Sequence, residues 1–295
     1  MRTTGPIEVI ARHRNSRRVA WLVLTLAALV AIGTLSGCET STAATNAATQ
    51  LSKVSQQLSD YYADLSNQVD DTVALNQVQA ELLGLPFDDS DHARLNTTKQ
   101  EIGKRAAMAK ALGALASAYA TLAGSKSAAD IGTAASGLAK ACESIKAIPG
   151  GGGLPDVFAQ ASQQLVELIR ARKLRQSSGA IGKAVAAIDT LFEQESPVYE
   201  SINRQRITLA QSLAVMLLQK DMVDVNPVLA PALKPFDLTS KLPANQTPAE
   251  MRHLAELKIQ ATGDNQINTY QANTTALAAA LKSASQQVEA VARKH

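Results

Sequence analysis

Apolar residues recur every three or four positions along almost the whole chain from residue 51 onward. This spacing brings them to one face of an α-helix about once per turn. Strand-like alternation is almost absent, and aromatic residues make up only 3% of the chain. Because each apolar stripe needs a partner helix, the pattern predicts an all-α fold, an elongated antiparallel bundle of long helices. In the first segment the stripe consists of Leu51, Val54, Leu58, Tyr61, Leu65, Val69, Val73 and Leu82.

Glycine and proline mark the expected helix boundaries. Gly84 and Pro86 end the first pattern, and "PGGGG" at residues 149–153 is the strongest break in the chain. A long pattern follows, relaxed at "SSG" (residues 177–179), and Pro197 is expected to kink or restart it. These breaks divide the chain into successive helices of one bundle.

The last helix has a nearly complete start signal. Thr247 is the expected N-cap, Pro248 occupies the first helical position, and Glu250 closes a capping box. The preceding "NPVLAPALKPF" (residues 226–236) has three prolines and is expected to form a connecting loop.

The first 38 residues combine a basic, an apolar and a cysteine part, in that order. The apolar run Val19–Leu35 has 17 residues, fewer than the roughly 20 that span a bilayer, and "LSGC" (residues 35–38) closes it. This segment resembles the signal peptide and lipobox of bacterial lipoproteins. The basic residues are Arg2, Arg12, Arg14, Arg17 and Arg18.

The resemblance implies cleavage between Gly37 and Cys38 and covalent lipid on the Cys38 sulfur. Residues 1–37 are then a removed signal peptide, 38–50 a lipidated cysteine with a short polar tether, and 51–295 the helical bundle domain. Glu39 stands where an Asp favours retention in the inner membrane, so the resemblance implies an outer-membrane destination. An uncleaved signal anchor is the alternative, and "SRRVAWL" leaves twin-arginine export open.

Removing this segment changes the charge of the chain. The whole chain has 29 Lys and Arg against 26 Asp and Glu, and the first 37 residues hold five Arg and one Glu. The remainder has 24 basic and 25 acidic residues, so charge offers no argument for nucleic-acid binding. Cys142 is the only other cysteine, and its place on an apolar stripe predicts a buried core thiol.

Two short motifs have the spacing of metal ligands on one helix face. Asp89 and His92 form a D-x-x-H motif, and Glu250 and His253 form an E-x-x-H motif. Both fall in expected first turns, where acidic residues cap the helix and complement its dipole. Capping is therefore the preferred interpretation, and we expect no cofactor apart from the lipid.

The sequence lacks the common catalytic motifs, which favours a non-catalytic protein. No Gly-x-Ser-x-Gly elbow or Cys-x-x-Cys pair is present. The densest basic cluster contains Arg170, Arg172, Lys173 and Arg175, which form either a solvated helix face or a contact with an anionic surface.

These features favour a membrane-anchored envelope lipoprotein that acts as a helical scaffold or protein-binding module. Its expected partners are membrane lipid and an envelope protein. One alternative is a membrane-active bundle that releases the Ala-rich stretch 106–148, although Lys and Ser interrupt that stretch. The other is a carrier of metal or a small ligand in the bundle core.

Overall fold

The computed structural model describes residues 39–86, 89–125, 129–150, 174–219, 236 and 247–293. No strand occurs among them. The chain divides into two compact units, Met1–Glu39 and Thr40–His295, and the fold described here is that of the second. The predicted all-α fold is confirmed. The described helices, numbered in chain order, are α1 (Glu39–Leu83), α2 (Asp89–Ser125), α3 (Ala129–Glu143), α4 (Leu174–Gln219) and α5 (Pro248–Arg293).

Helices α1 and α2 are antiparallel neighbours. Ser41, at the start of α1, donates a hydrogen bond from Oγ to the carbonyl oxygen of Ala123 near the end of α2, at 2.6 Å. Toward the other end, Lys99 Nζ lies 2.7 Å from Asp70 Oδ2. The residue numbers rise in one helix as they fall in the other.

Helices α4 and α5 are also antiparallel. Ser285 Oγ of α5 donates to the carbonyl oxygen of Gly182 in α4 at 3.1 Å. Helices α1 and α4 run parallel, since Asn203 Nδ2 donates to Gln68 Oε1 at 2.8 Å and numbers rise together along both. The four long helices therefore alternate up, down, up and down, which confirms the predicted bundle.

Helix α3 is a short additional helix that packs on α2. It ends at Glu143, before the expected break at residues 149–153, and Gly150 takes the left-handed conformation with φ 83°. The backbone N–H of Lys146 donates to Glu101 Oε2 of α2 at 2.8 Å. Cys142 is buried, as predicted. The buried apolar residues of α3 and its C-terminal extension are Ile131, Ala135, Leu138, Ala139, Cys142, Ile145 and Ile148.

The described core has two clusters. The larger one joins all five helices and is rich in alanine, which lets helix backbones approach closely. The smaller one lies where α1, α4 and α5 meet, and Phe236 from the segment between α4 and α5 is part of it. We call this smaller cluster the distal cluster, and it consists of Leu75, Ala210, Leu213, Ala214, Leu217, Phe236 and Ile259.

The prediction of a tether over residues 38–50 is wrong for its described part. α1 already begins at Glu39, and Ala44, Ala47 and Ala48 are buried in the main cluster. Alanine has the highest helix propensity, and its small side chain fits a close helix contact. A sequence of small residues looked like a linker because its apolar face carries no large side chain.

The ends of two helices follow their sequence signals. Gly84 has φ 65°, its N–H donates to the Glu81 carbonyl at 3.2 Å, and Leu85 N–H donates to the Ala80 carbonyl at 2.9 Å. These are the two bonds of a Schellman motif, so the predicted end of the first helix is confirmed. At the start of α5, Thr247 and Glu250 form the predicted capping box.

Pro197 does not restart a helix. α4 is continuous from Leu174 to Gln219, with Pro197 in its interior and residues 177–179 in its first turns. Proline removes one backbone hydrogen bond, while the flanking Phe192 and Tyr199 are fully buried. The tertiary contacts of these aromatic residues outweigh the local cost.

α2 is the one helix among the described residues that is long and apolar enough, by composition, to cross a membrane. Half of the most apolar 18-residue stretch of α2 is buried inside the bundle. A core helix of a soluble protein has the same properties.

Candidate functional site

The predicted lipidation site lies outside the described residues. Gly37 and Cys38 directly precede α1, which begins at Glu39. Cleavage and lipidation therefore stay predictions.

The two candidate metal motifs lie in the first turns of α2 and α5. Asp89 is exposed, and so is His253. The Glu250 carboxylate accepts hydrogen bonds from Thr247 N–H and Oγ1, both at 2.8 Å, and these bonds lower the pKa of Glu250. The Glu250 N–H donates to Thr247 Oγ1 at 3.3 Å, which completes the capping box.

No group of three or more His, Cys, Asp or Glu close enough to hold a metal ion occurs in the part of the chain that the structure describes. Asp89 with His92 and Glu250 with His253 thus stay two separate pairs rather than one four-ligand centre. The geometry of Glu250 is that of a helix cap.

The basic cluster falls at the edge of a described helix. Arg170, Arg172 and Lys173 lie outside the described residues, and Arg175 belongs to the first turn of α4. Contact of this cluster with an anionic surface stays a prediction.

The main polar feature of the core is an ion pair between Arg105 of α2 and Glu195 of α4. Arg105 is fully buried. Its Nε donates to Glu195 Oε2 at 2.7 Å, and an Nη2 hydrogen bond to Glu195 Oε1 makes the pair bidentate. Further hydrogen bonds run from Nη1 to the Glu101 carbonyl and from Nη2 to the Lys146 carbonyl, both at 2.9 Å. Arg105 therefore joins α2, α4 and the C-terminal extension of α3.

Two tyrosines extend this network. Tyr199 donates its hydroxyl proton to Glu195 Oε2. The hydroxyl oxygens of Tyr62 and Tyr199 lie 3.4 Å apart, and Tyr62 is the donor because the Tyr199 proton is already used. Burial raises the pKa of both tyrosines. Burial by itself lowers the pKa of Arg105, but the hydrogen bond to Glu195, together with the charge interactions with Glu195 and the two tyrosines, raises this pKa overall.

The same level of the bundle holds an aromatic cluster. The ring centroid of Tyr61 lies 5.3 Å from that of Phe192 and 5.5 Å from that of Tyr270. The Tyr270 hydroxyl donates to the Tyr61 hydroxyl at 2.7 Å, and the Tyr61 and Thr274 hydroxyls lie 3.1 Å apart. Burial raises the pKa of Tyr61 to about 12. These groups satisfy one another, so their chemistry stabilises the helix register.

Sequence reasoning missed this network, although a signal was present. Arg105 follows Ile102 by three positions and precedes Leu112 by seven, so it occupies a core position of α2. Glu195 likewise lies on the apolar stripe of α4 between Phe192 and Tyr199. A charged residue on each of two apolar stripes indicates a buried pair.

An open groove of about 470 Å³ lies between α1 and α2. It is polar, and no described residue outside these two helices contributes to it. We call it the α1–α2 groove. It is lined by Ser52, Lys53, Ser55, Gln56 and Ser59 of α1 and by Ala109, Lys110, Gly113 and Ser117 of α2.

No protein-family model matches this chain, and neither a curated protein nor a solved structure is significantly similar to it.

Proposed function

We propose that the protein is a lipid-anchored lipoprotein of the bacterial cell envelope that acts as a non-catalytic helical scaffold or protein-binding module. The observation that carries the proposal is the order of basic residues, apolar run and "LSGC" at residues 35–38. The proposed anchor consists of acyl chains on Cys38, held in the outer membrane rather than the inner one. Two or more acyl chains give stable anchoring.

The start of α1 supports the scaffold part of the proposal. Because α1 begins at Glu39, only one peptide bond separates it from the proposed lipidated residue. Its 45 residues span about 67 Å at 1.5 Å per residue. An anchor at the first residue of a long bundled helix would present the far end of that helix well away from the acyl chains.

The chemistry of the described core supports a binding rather than a catalytic role. Arg105, Glu195 and Tyr199 use their polar atoms on one another and are buried. The α1–α2 groove, in contrast, is open and polar. A protein of this type would act through its surface.

Mass spectrometry of the native N-terminus tests the anchor. We expect an N-terminus at Cys38 that carries acyl chains, and we expect Cys38→Ala to move the protein from the membrane fraction to the soluble fraction or to leave the signal segment uncleaved. A matched Cys142→Ala variant should stay in the membrane fraction. An intact residue 1–37 segment on the native protein, or an unmodified Cys38 thiol, would refute the proposal.

The composition of α2 favours a second candidate, a membrane-active bundle. Its most apolar stretch has the length and the mean hydropathy of a membrane span. Release of dye from liposomes by the full lipidated protein tests this candidate. Leakage that a disulfide engineered between α2 and α4 prevents would favour it over the scaffold.

A further inference from the structure

We propose that the α1–α2 groove binds an acidic helix of another envelope protein. The inference rests on the proposed function. It names the face through which the protein-binding module would bind, and it specifies a partner helix with negative charge. It depends on the shape of the groove, on its two lysines and on the sparse charge of the surrounding face.

The groove has the shape that a helix needs. Gly113 of α2 lies so close to α1 that a Cβ atom there would be 2.9 Å from Ser55 Oγ. Ser55 donates this hydroxyl to the Ser52 carbonyl oxygen at 2.8 Å, so its proton is already used within α1. The lining positions recur every three or four residues along both helices, over about two turns or 10–12 Å. Small residues at this spacing let a third helix backbone approach closely.

The charge of the groove is complementary to an acidic partner. Lys53 comes from α1 and Lys110 from α2, and both are exposed. Neither lysine forms an ion pair with an acidic group of the described residues. Among the described residues, Asp60 is the acidic residue that is hydrogen-bonded to a lining side chain, and it accepts from Gln56 Nε2 at 2.8 Å. Carboxylates of a partner helix could pair with both lysines at once.

The surface that continues the groove toward the start of α1 carries little charge. Interface centres are depleted of charged residues, whereas an ordinary solvent-facing helix surface is rich in them. The exposed residues that continue the groove are Thr42, Thr45, Thr49, Ala114 and Thr121.

A second copy of this chain fits the groove less well than an acidic helix does. A symmetric dimer whose two-fold axis passes through the groove would bring Lys53 and Lys110 of one copy close to the same lysines of the other. Like charges across an interface oppose association. Charge complementarity therefore favours an acidic helix of a different protein over a second copy of this chain.

Peptide binding to the full lipidated protein in detergent micelles tests the proposal. The probes are three labelled helical peptides with one Ala- and Ser-rich face flanked by Glu, by Gln or by Lys, and the readout is fluorescence anisotropy. We expect the Glu peptide to bind most tightly. The double variant Lys53→Glu, Lys110→Glu should weaken its binding about tenfold or more and favour the Lys peptide instead.

Two further variants keep this test specific. Ser117 is exposed, so Ser117→Trp should fill the groove and abolish binding without unfolding the bundle. Lys140→Glu with Lys183→Glu changes two exposed lysines on α3 and α4 and should leave binding unchanged.

Equal binding of the three peptides, or an unchanged Kd in the double charge reversal, would overturn the inference. Self-association of the wild type that Ser117→Trp abolishes would overturn it too, because the occupant would then be a second copy. The proposed function fails separately, if mass spectrometry finds no lipid on Cys38.

Discussion

At the residue scale, Arg105 shows how one buried charge ties distant parts of the chain together. It binds Glu195, which is 90 residues away in sequence, and the carbonyl oxygen of Lys146, which is 41 residues away. A buried ion pair adds little net stability relative to an apolar pair, but removing one partner leaves an uncompensated charge. We infer that its main effect is to favour one helix register over others.

We predict that Arg105→Ala destabilises the protein by about 3–5 kcal/mol, because Glu195 stays buried without its partner. Denaturant unfolding measures this change. Arg105→Met combined with Glu195→Gln removes both charges and should recover part of the loss. The control is Arg94→Ala, whose ion pair with Asp91 is half exposed and should contribute less than about 1 kcal/mol.

Asp189 of α4 is another buried charged residue, and it has fewer hydrogen-bond partners than Arg105. It is 9% exposed, and its Oδ1 has no hydrogen-bond partner in the described structure. Burial raises the pKa of Asp189 to about 6, nearby Glu193 adds to the rise, and Lys282 of α5 opposes it. The folded protein therefore holds a proton on Asp189 more tightly than the unfolded chain does.

This raised pKa predicts a pH-dependent effect of Asp189→Asn. Above pH 6 the wild type carries a buried carboxylate, so the variant should be more stable by roughly 2 kcal/mol. As the pH falls from 7 to about 4, the wild-type carboxyl takes up its proton and the difference should disappear. Thermal unfolding across this range measures it, and a difference that does not change with pH would contradict the assignment.

At the element scale, the residues at a helix end determine where the helix ends, whereas packing against neighbouring helices determines whether the chain stays helical inside it. Gly84 ends α1 and Thr247 caps α5, as their residue types predict. Pro197 in α4 and the small residues 39–50 of α1 do not behave as their types predict, since both are held by packing. Intrinsic helix propensity predicts the local structure poorly wherever tertiary contacts compete with it.

The contact between α4 and α5 gives a prediction at this scale. Gln211 Nε2 donates to the carbonyl oxygens of Ile259 and Gln260, at 3.3 and 3.2 Å, and its side chain crosses Gly263. A Cβ atom on Gly263 would lie 2.0 Å from Gln211 Nε2. We therefore expect Gly263→Ala to displace Gln211 and break both hydrogen bonds, so that it raises the Tm less than a glycine-to-alanine change in an open helix position does.

Gly103 of α2 provides the matched control. It is also inside a helix, but nothing lies within 4 Å of an added Cβ. Gly103→Ala should stabilise the protein by about 0.5–1 kcal/mol, because glycine costs about that much in a helix interior. Equal effects of the two substitutions would show that Gln211 is not the cause.

At the scale of the whole molecule, the described core divides into the main cluster and the distal cluster. Phe236, which is 1% exposed, fills the distal cluster between α1, α4 and α5. A large aromatic side chain is needed there because the helices contribute two alanines to a small cluster. We therefore expect one end of the bundle to open without the other.

Phe236→Ala tests this separation. We expect a loss of about 3–5 kcal/mol in the opening free energy of the distal cluster, measured by hydrogen exchange. Amides near Leu75 and Leu213 should lose protection, whereas those near Leu51 in the main cluster should keep it. Loss of protection along the whole of α1 would show that the bundle opens as one unit.

The sequence by itself determined the all-α class, the apolar stripes and the ends of α1 and α5. These features depend on side-chain spacing and on hydrogen bonds within a few residues, for example those of Gly84 and Thr247. The tertiary structure alone decided that Arg105 meets Glu195, that α3 packs on α2, and that α1 and α2 together line a groove. Such contacts join residues far apart in the chain, and their free energy depends on which helix faces meet, so no local pattern contains them.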